Sequence, residues 1–343
     1  MFKLSRDIGI DLGTSNVLIY VEGKGVVVRE PAVVAVDKST GRVLQVGSAA
    51  RNMLGRTPGN VAALRPLRDG VICDYEMTQK LLTQLVRKAM RMPLVKPRAV
   101  VCVPSGVTGV EERAVIQATM EAGARRVYLI EEPLAAALGA ELSLDGAEGH
   151  MVVDVGGGTT DIAVLSMDSV AVSSSVKVAG DAFDDAIARF VRRRYGVAIG
   201  ANTAEEIKMT IGCVADRPDD PAMQVKGRDL KTGLPHEFLL RASETGEALR
   251  RPVHEIIEVI QNVLQQTQPE LVVDVSKNGI LLTGGGSRIW GLDRLISETT
   301  GIACTLADDA ESCVAFGCGK SLKWIGQMQE GTMNFARKKQ LEE

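Results

Sequence analysis

The 343-residue sequence is poor in aromatic side chains and carries little net charge of either sign. Aromatic residues make up 3% of a chain that is 45% hydrophobic, so Val, Ile, Leu and Ala must fill its core. The formal net charge is -3, so there is no general basic surface to attract nucleic acid. No run approaches the roughly 20 apolar residues of a membrane-spanning helix. These absences favour a globular protein.

Metal-binding and catalytic patterns of cysteine and histidine are also absent. None of the six cysteines forms a CxxC pair, and none has a histidine at zinc-ligand spacing. Several thiols lie in apolar runs such as VVCVP, which indicates reduced, mostly buried side chains in a cytoplasmic protein. The three histidines are scattered, which argues against a Ser-His-Asp triad. The start, MFKLSRDIGI, shows no signal-peptide pattern.

What the sequence does contain is a repeated apolar hairpin with a polar, glycine-bearing tip. IGIDLGTSNVLIY (8–20) parallels VVDVGGGTTDIAVL (152–165). In each copy an apolar strand runs into Asp, a polar turn follows, and a second apolar strand returns. More strands and helices follow each copy, so the repeat predicts two related α/β domains that face each other.

Local patterns predict helices between the strands. Thr108 and Glu111 form a capping box, and Pro133 suits the first turn of another helix. GILLTGGGSRIWGLDRLI, from residue 279, is typical of a strand, a turn and a helix. A further helix is predicted over residues 74–91. Its apolar side is formed by Leu81, Leu82, Leu85, Val86 and Ala89.

The tips of the two hairpins suit a polyphosphate held from both sides. Successive backbone N–H groups in a glycine turn form a concavity that binds anions, and glycine leaves room for the anion. Asp11 and Asp154 would repel phosphate unless Mg²⁺ lies between, since Mg²⁺ prefers oxygen ligands. An ordinary hairpin tip explains either copy alone equally well, but the matched pair favours phosphate binding. Additional donors are Thr14, Ser15, Asn16, Thr159 and Thr160.

Two further stretches have open interpretations. TGGGS at 283–287 is either another phosphate cradle, a flat backbone against a base or ribose, or a plain tight turn. Thr203 and Glu206 form a second capping box pattern. Glu205 and Lys208 would either be a solvated i,i+3 pair or face the nucleoside, and the residues alone favour the solvated pair.

Glu131 and Glu132 precede Pro133 at a strand–helix junction. An acid there is favoured by the positive end of the helix, which is a common structural role. The alternative is a residue that orients water for in-line attack on a γ-phosphate.

Several motifs together resemble a known family. DLGTSN, LIEEPLAAALGA, VVDVGGGTTDIAV and LTGGGS, in this order, resemble the actin-like ATPase superfamily. The stretches GKGVVVREPAVVAVD, GRTPGNVAALRPLRDGVICDYE, AGDAFDDAI, TAEEIK and GRDLKTGLP narrow the resemblance to the MreB-type bacterial actins of the MreB/Mbl family. The similarity extends from Asp7 to about Lys320.

The resemblance implies an actin-like ATPase (ribonuclease H-like) fold of the α/β class, with two related domains around a nucleotide cleft. Domain I would comprise residues 1–145 plus 312–343, with a smaller subdomain at about 32–65. Domain II would comprise residues 146–311, with a smaller subdomain at about 181–245.

The same resemblance implies ATP or ADP with Mg²⁺ in the cleft. Asp11 and Asp154 would hold the hydrated Mg²⁺, and Glu132 would position the attacking water. The implied phosphate loops are Gly13, Thr14, Ser15 and Asn16, and Gly156, Gly157, Gly158 and Thr159. The implied nucleoside contacts are Glu205, Glu206, Ile207 and Lys208, and Gly284, Gly285, Gly286 and Ser287.

Family members form ATP-dependent paired filaments at the inner face of the cytoplasmic membrane and organise cell-wall synthesis to maintain cell shape. The resemblance therefore implies a weak ATPase coupled to filament turnover rather than a metabolic enzyme. Expected partners are further copies of the chain, the membrane and the cell-wall elongation machinery, with no nucleic acid. Candidate membrane contacts are Phe2, Leu94 and Val95. The alternatives are a plasmid-partitioning actin or a soluble ATPase or kinase of the same superfamily.

Overall fold

The structure is a computed structural model that describes residues 6–90 and 95–326. In chain order the N-terminal half contains β1 (Ile8–Leu12), β2 (Asn16–Val21), β3 (Gly25–Pro31), β4 (Val34–Asp37), β5 (Val43–Val46), α1 (Ser48–Arg51), β6 (Val61–Leu64), β7 (Leu67–Arg68), β8 (Val71–Ile72), α2 (Tyr75–Met90), β9 (Arg98–Val103), α3 (Gly109–Glu121), β10 (Arg126–Glu131) and α4 (Glu132–Gly139).

The C-terminal half continues with β11 (His150–Val155), β12 (Thr160–Ser166), β13 (Ser169–Val176), α5 (Gly180–Tyr195), β14 (Val197–Ala198), α6 (Ala201–Ile211), β15 (Ala222–Asp229), β16 (Pro235–Arg241), α7 (Ala242–Gln266), α8 (Pro269–Asn278), β17 (Ile280–Thr283), α9 (Leu292–Thr300), β18 (Cys304–Leu306) and α10 (Cys313–Ser321). Two 3₁₀ turns span Gly285–Arg288 and Leu322–Trp324.

Two five-stranded sheets with the same topology confirm the predicted repeat. Their strand orders are β10-β9-β1-β2-β3 and β13-β12-β11-β17-β18. In each sheet the three strands that come first in the chain form an antiparallel meander. The first of these three strands also pairs in parallel with a strand that comes later in the chain. The two hairpins found in the sequence are β1–β2 and β11–β12. They therefore occupy equivalent positions in the two halves.

Burial explains why the central strands are almost continuously apolar. Ile8 and Ile10 of β1 and Val152 and Val153 of β11 have no exposed surface. Helices cover parallel sheets on both faces, so such strands need apolar side chains in both directions. The apolar face predicted for residues 74–91 is confirmed, because it is buried in α2.

A third apolar core joins the two halves beneath the cleft between them. It contains Val100 and Ile130 from the first sheet and Val152 and Leu165 from the second. Helices α4 and α10 meet in this core so closely that a Cβ atom on Gly317 would overlap the Ala135 carbonyl oxygen. This close packing holds the two sheets together below the cleft.

Two three-stranded sheets and the two-stranded sheet β7-β8 complete the fold. β5-β4-β6 lies within the interval predicted for the first subdomain, and β14-β15-β16 lies within the second. The domain limits themselves remain a prediction. Within residues 6–90 and 95–326, no helix has the length and apolar character that crossing a membrane requires.

The two capping-box predictions have different outcomes. Thr108 Oγ1 accepts a hydrogen bond from Glu111 N, and the Glu111 carboxylate accepts one from Thr108 N, which confirms the first box. The second box is wrong, because α6 already begins at Ala201 with Gly200 as its N-cap. Thr203 is therefore the third residue of the helix and not its N-cap.

Candidate nucleotide site

The tips of the two equivalent hairpins meet at a cleft with a cavity volume of about 320 Å³. This volume is within the range of small-molecule sites. The N-terminal half contributes Asp11, Gly13, Thr14, Ser15, Asn16, Arg29, Arg51, Gly70 and Glu132. The C-terminal half contributes Asp154, Gly156, Gly157, Gly158, Thr159, Gly180, Glu205, Lys208, Met209, Gly284, Gly285, Gly286 and Glu311. Of the predicted nucleotide and metal residues, only Thr160, Glu206, Ile207 and Ser287 are outside this lining.

The two tips press against each other, and this contact explains two of the glycines. A Cβ atom on Gly158 would lie 2.5 Å from Thr14 Oγ1 and 2.9 Å from Asp69 N. A Cβ atom on Gly157 would overlap Ser15 Oγ. Hydroxyl side chains on the first tip therefore fill the space that glycines leave on the second. Only glycine allows this approach.

The second tip is also bonded to the start of α5. Gly180 N donates to the Gly156 carbonyl oxygen at 3.1 Å, and Asp181 N donates to the Gly157 carbonyl oxygen at 2.8 Å. A helix N-terminus carries partial positive charge, which favours an anion nearby. The turn is thus held where a phosphate group would be stabilised.

Carboxylates cluster beneath the two tips. Burial raises the pKa of Asp11 to about 7, although the Cys102 thiol donates to it at 3.4 Å. Burial raises the pKa of Asp154 to about 7 as well, and the Thr283 hydroxyl that donates at 2.6 Å opposes the rise. Burial therefore disfavours the charged form of both acids, and a cation bound beside them would stabilise that form.

Glu132 is the first residue of α4 and is buried at the same place. Burial raises the pKa of Glu132 well above its usual range, and the nearby carboxylates of Asp161, Asp154 and Asp11 raise it further. The Cys102 sulfur lies 4.0 Å from Glu132 Oε1. Glu132 is therefore a shielded acid that faces the same space as the two aspartates.

The donor chemistry of this cluster fits Mg²⁺. Carboxylate oxygens are the ligands that Mg²⁺ prefers, and it usually keeps several waters. Among the residues that the structure describes, no three His, Cys, Asp or Glu side chains could hold a metal ion by themselves. A cation here would therefore need oxygens from water or phosphate in addition to those of Asp11 and Asp154.

On the nucleoside side, the interpretation of Glu205 and Lys208 as a solvated pair is wrong. Glu205 accepts from the Arg51 guanidinium at 2.5 Å, across the cleft from α1. Lys208 donates to the Gly180 carbonyl oxygen at 3.0 Å and pairs with Asp184 at 2.9 Å. Both side chains are thus directed by contacts with other elements.

Of the other predicted nucleoside residues, the three glycines line the cleft, and Glu206, Ile207 and Ser287 do not. Ile207 is buried in the core of the C-terminal half, and Glu206 is exposed. Ser287 is buried and donates to the Gly284 carbonyl oxygen at 2.6 Å, which stabilises the turn. Gly284 has φ +82°, and a Cβ atom there would overlap the Val155 carbonyl oxygen. The turn therefore packs tightly on β11.

The structure also brings residues to the site that sequence reasoning did not assign. Arg29 donates to Glu311 at 3.2 Å, and Arg51 reaches Glu205, so two guanidinium groups line the cleft. Asp161, the second aspartate of VVDVGGGTTDIAV, also lies near Glu132, and no role was predicted for it from the sequence. No local pattern marks the two arginines. The membrane candidates Phe2 and Leu94 lie outside the described residues, and Val95 is 38% exposed.

Comparison with known proteins is decisive for the family. The sequence profile of the MreB/Mbl protein family matches residues 5–330. The chain belongs to the MreB/Mbl family. The cell shape-determining protein MreB of Escherichia coli (strain K12) is 48% identical over 327 residues, which are 94% of each chain. Mbl of Bacillus subtilis (strain 168) is 46% identical over 319 residues, covering 93% of this chain and 96% of that protein.

Solved structures confirm the actin-like fold of this MreB/Mbl family member. MreB5 of Spiroplasma citri bound to AMPPNP superposes with a TM-score of 0.90 at 37% identity, covering 95% of this chain and 98% of that chain. The same protein has been solved with ADP, at 38% identity and a TM-score of 0.90. MamK from its double helical filament has the same fold, with a TM-score of 0.80 at 24% identity.

Proposed function

We propose that the protein binds ATP with Mg²⁺ in this cleft and assembles into membrane-associated double filaments. These filaments would organise cell-wall synthesis and maintain cell shape, with slow hydrolysis coupled to filament turnover. The observation that carries the proposal is the meeting of two glycine-bearing tips above buried acids. The relatives named as cell shape-determining proteins, and the nucleotides bound to Spiroplasma citri MreB5, support it.

Each part of the site has a role in this proposal. The backbone N–H groups of the two tips bind the phosphates, with the start of α5 adding favourable partial charge. Asp11 and Asp154 hold the hydrated Mg²⁺, which neutralises phosphate charge when bound. Glu132 orients the attacking water and accepts its proton. Glu205 and Lys208 face the nucleoside together with the Gly284–Gly286 turn.

Contacts across the cleft give a physical link between nucleotide and assembly. Asp181 of α5 accepts from Ser15 at 3.5 Å and from Arg65 at 2.8 Å. A triphosphate that touches both tips would add to these bonds and favour the closed arrangement. A closed subunit presents a fixed head-to-tail surface, and a contact of that kind that does not close a ring builds an open filament.

Electron microscopy of the protein on vesicles with anionic lipid tests the assembly. The samples would contain ATP–Mg²⁺, ADP–Mg²⁺ or no nucleotide. We expect membrane-bound double filaments that depend on nucleotide. Nucleotide binding without filaments under any condition would favour a soluble ATPase or kinase. Filaments that form but do not bind the vesicles would favour a plasmid-partitioning actin.

A further inference from the structure

Asp161, the second aspartate of VVDVGGGTTDIAV, has been described so far only as one of the carboxylates that raise the pKa of Glu132. It lies on β12 just after the second tip and has no exposed surface. It is directly opposite Asp154 in the strand register, where two like charges are destabilising. At the matching position of the first hairpin, Leu18 is opposite Asp11. An apolar residue therefore satisfies packing at this position, and the acid needs another explanation.

The clearest contact of Asp161 crosses from one half of the molecule to the other. Ser105 N donates to Asp161 Oδ1 at 2.7 Å, and both residues are buried. Ser105 belongs to the loop between β9 and α3 in the N-terminal half. A hydrogen bond to a charged group that is removed from water is stronger than a neutral one. Asp161 thus ties the loop of one half to the strand that follows the second tip of the other.

The same loop contacts the segment that carries Glu132. Ser105 Oγ donates to Glu131 Oε2 at 3.1 Å. Glu131 ends β10 and is the N-cap of α4, whose first residue is Glu132. A continuous series of buried bonds therefore runs from Asp161 through Ser105 to the backbone neighbour of Glu132.

We propose that Asp161 is an interdomain positioning residue that aligns Glu132 only when the two halves are closed. When the halves separate, the Ser105–Asp161 bond breaks and the β9–α3 loop no longer fixes the Glu131–Glu132 segment. Hydrolysis is then restricted to the closed subunit. This inference rests on the proposed function, because it concerns the same reaction.

Substitution of Asp161 gives the first test. Asp161→Ala removes the acceptor for Ser105 N, and misplacement of a catalytic group costs up to about 100-fold in rate. We expect phosphate release per bound ATP to fall roughly 10- to 100-fold, while affinity for a fluorescent AMPPNP analogue changes less than about threefold. Asp161→Asn keeps an oxygen acceptor, so its rate should stay within about threefold of wild type.

A double-mutant cycle separates positioning from an independent effect. If Asp161 acts through Glu132, Asp161→Ala should add less than about twofold to the loss caused by Glu132→Gln. Losses that multiply would overturn the proposal. So would an Asp161→Ala protein that releases phosphate at the wild-type rate, or one that loses rate, nucleotide affinity and Tm together.

Asp7→Asn is the matched control. Asp7 is also a buried acid, and it pairs with Arg98 at the start of β9 at 2.6 Å, away from the cleft. Its loss should lower Tm and leave phosphate release per bound ATP unchanged. An equal loss of rate in this variant would show that any buried acid has the effect, and would contradict a special role for Asp161.

Hydrogen exchange of the wild-type protein tests the proposal even if Asp161→Ala fails to fold. Exchange of the Ser105 amide should slow at least about tenfold when AMPPNP–Mg²⁺ replaces ADP–Mg²⁺, since closure forms the bond. Unchanged exchange would overturn the inference. A wild-type protein that neither binds AMPPNP nor releases phosphate would instead overturn the proposed function itself.

Discussion

The two hairpins share one topology but differ in how they build the site. The first tip, between β1 and β2, carries hydroxyl side chains on Thr14 and Ser15. The second tip, between β11 and β12, carries glycines that leave room for those hydroxyls. The second hairpin also has an extra buried acid opposite Asp154, where the first has Leu18 opposite Asp11. Equivalent segments have thus become complementary, one filling space and the other leaving it.

The largest effect should come from the acid that neither hairpin supplies. Glu132→Gln removes a proton acceptor while keeping the shape of the side chain. General base catalysis contributes about 10²- to 10⁴-fold, so phosphate release should slow by that range with little change in ATP affinity. Single-turnover phosphate release measures it. An unchanged rate would show that the reaction depends on the hairpins alone.

The complementarity of the tips predicts a strong effect of a methyl group on the second one. In Gly158→Ala the new Cβ atom would meet Thr14 Oγ1 and the Asp69 backbone. Overpacking costs about 1–3 kcal/mol, which is roughly a 5- to 150-fold loss of ATP affinity if closure is needed for binding. Isothermal titration calorimetry measures the loss.

Gly59→Ala is the control for this prediction, because among the described residues no atom beyond its chain neighbours lies within 4 Å of the added Cβ atom. It should bind ATP like the wild type. If Gly158→Ala also binds ATP with wild-type affinity, the contact between the tips is not needed for the site.

Stability of the nucleotide-free protein should depend on pH through the same acids. Burial raises the pKa values of Asp11 and Asp154 to about 7 and that of Asp161 to about 6, compared with 3.8 ordinarily. Groups with raised pKa values stabilise the fold fully below pH 4, and this contribution is lost as pH rises through 7. Tm should therefore fall as the pH rises from about 4 to about 7 and should level off above that.

The comparison of the hairpins sharpens this expectation. The first contributes one such acid and the second contributes two. Each contributes up to about 1.4 kcal/mol per pH unit between its two pKa values. Changing both Asp154 and Asp161 to Asn should flatten the pH dependence of Tm more than Asp11→Asn does. Equal flattening would contradict the difference drawn between the hairpins.

The smallest effect is expected where the cleft is closed by a partly exposed ion pair. Arg51 of α1 and Glu205 of α6 form this pair, and their side chains are 37% and 19% exposed. Such pairs contribute about 0.2–1 kcal/mol, so Arg51→Ala should speed ADP release by no more than about fivefold. Stopped-flow release of fluorescent ADP measures it. Arg251→Ala removes an exposed ion pair on α7 and should leave ADP release unchanged. A similar acceleration in that variant would show that the Arg51–Glu205 pair has no specific effect on ADP release.

Local patterns predicted the framework, and contacts between distant segments escaped them. The repeat, α2 and the Thr108 cap follow from periodicity and short motifs, which the sequence displays directly. Arg51–Glu205 joins residues 154 positions apart, and Arg29–Glu311 joins residues 282 apart. Such pairs exist only once the halves are folded together.

The capping box predicted at Thr203 shows that a short motif can also mislead within a single helix. Its sequence matches the signature that is correct at Thr108, but α6 starts at Ala201 after Gly200. A four-residue motif therefore marks a helix start only when the preceding residues do not already continue the helix. No local motif reveals the contact of Asp161, because its partner Ser105 lies in the other half of the molecule.

A crystal structure grown with AMPPNP and Mg²⁺ tests the central claim most directly. The account predicts the triphosphate between the two hairpin tips, with Mg²⁺ bound through water to Asp11 and Asp154. Glu132 should face the γ-phosphate from the start of α4. Nucleotide bound elsewhere, or absent from the cleft at millimolar concentration, would contradict the claim that the repeated hairpins form a nucleotide site.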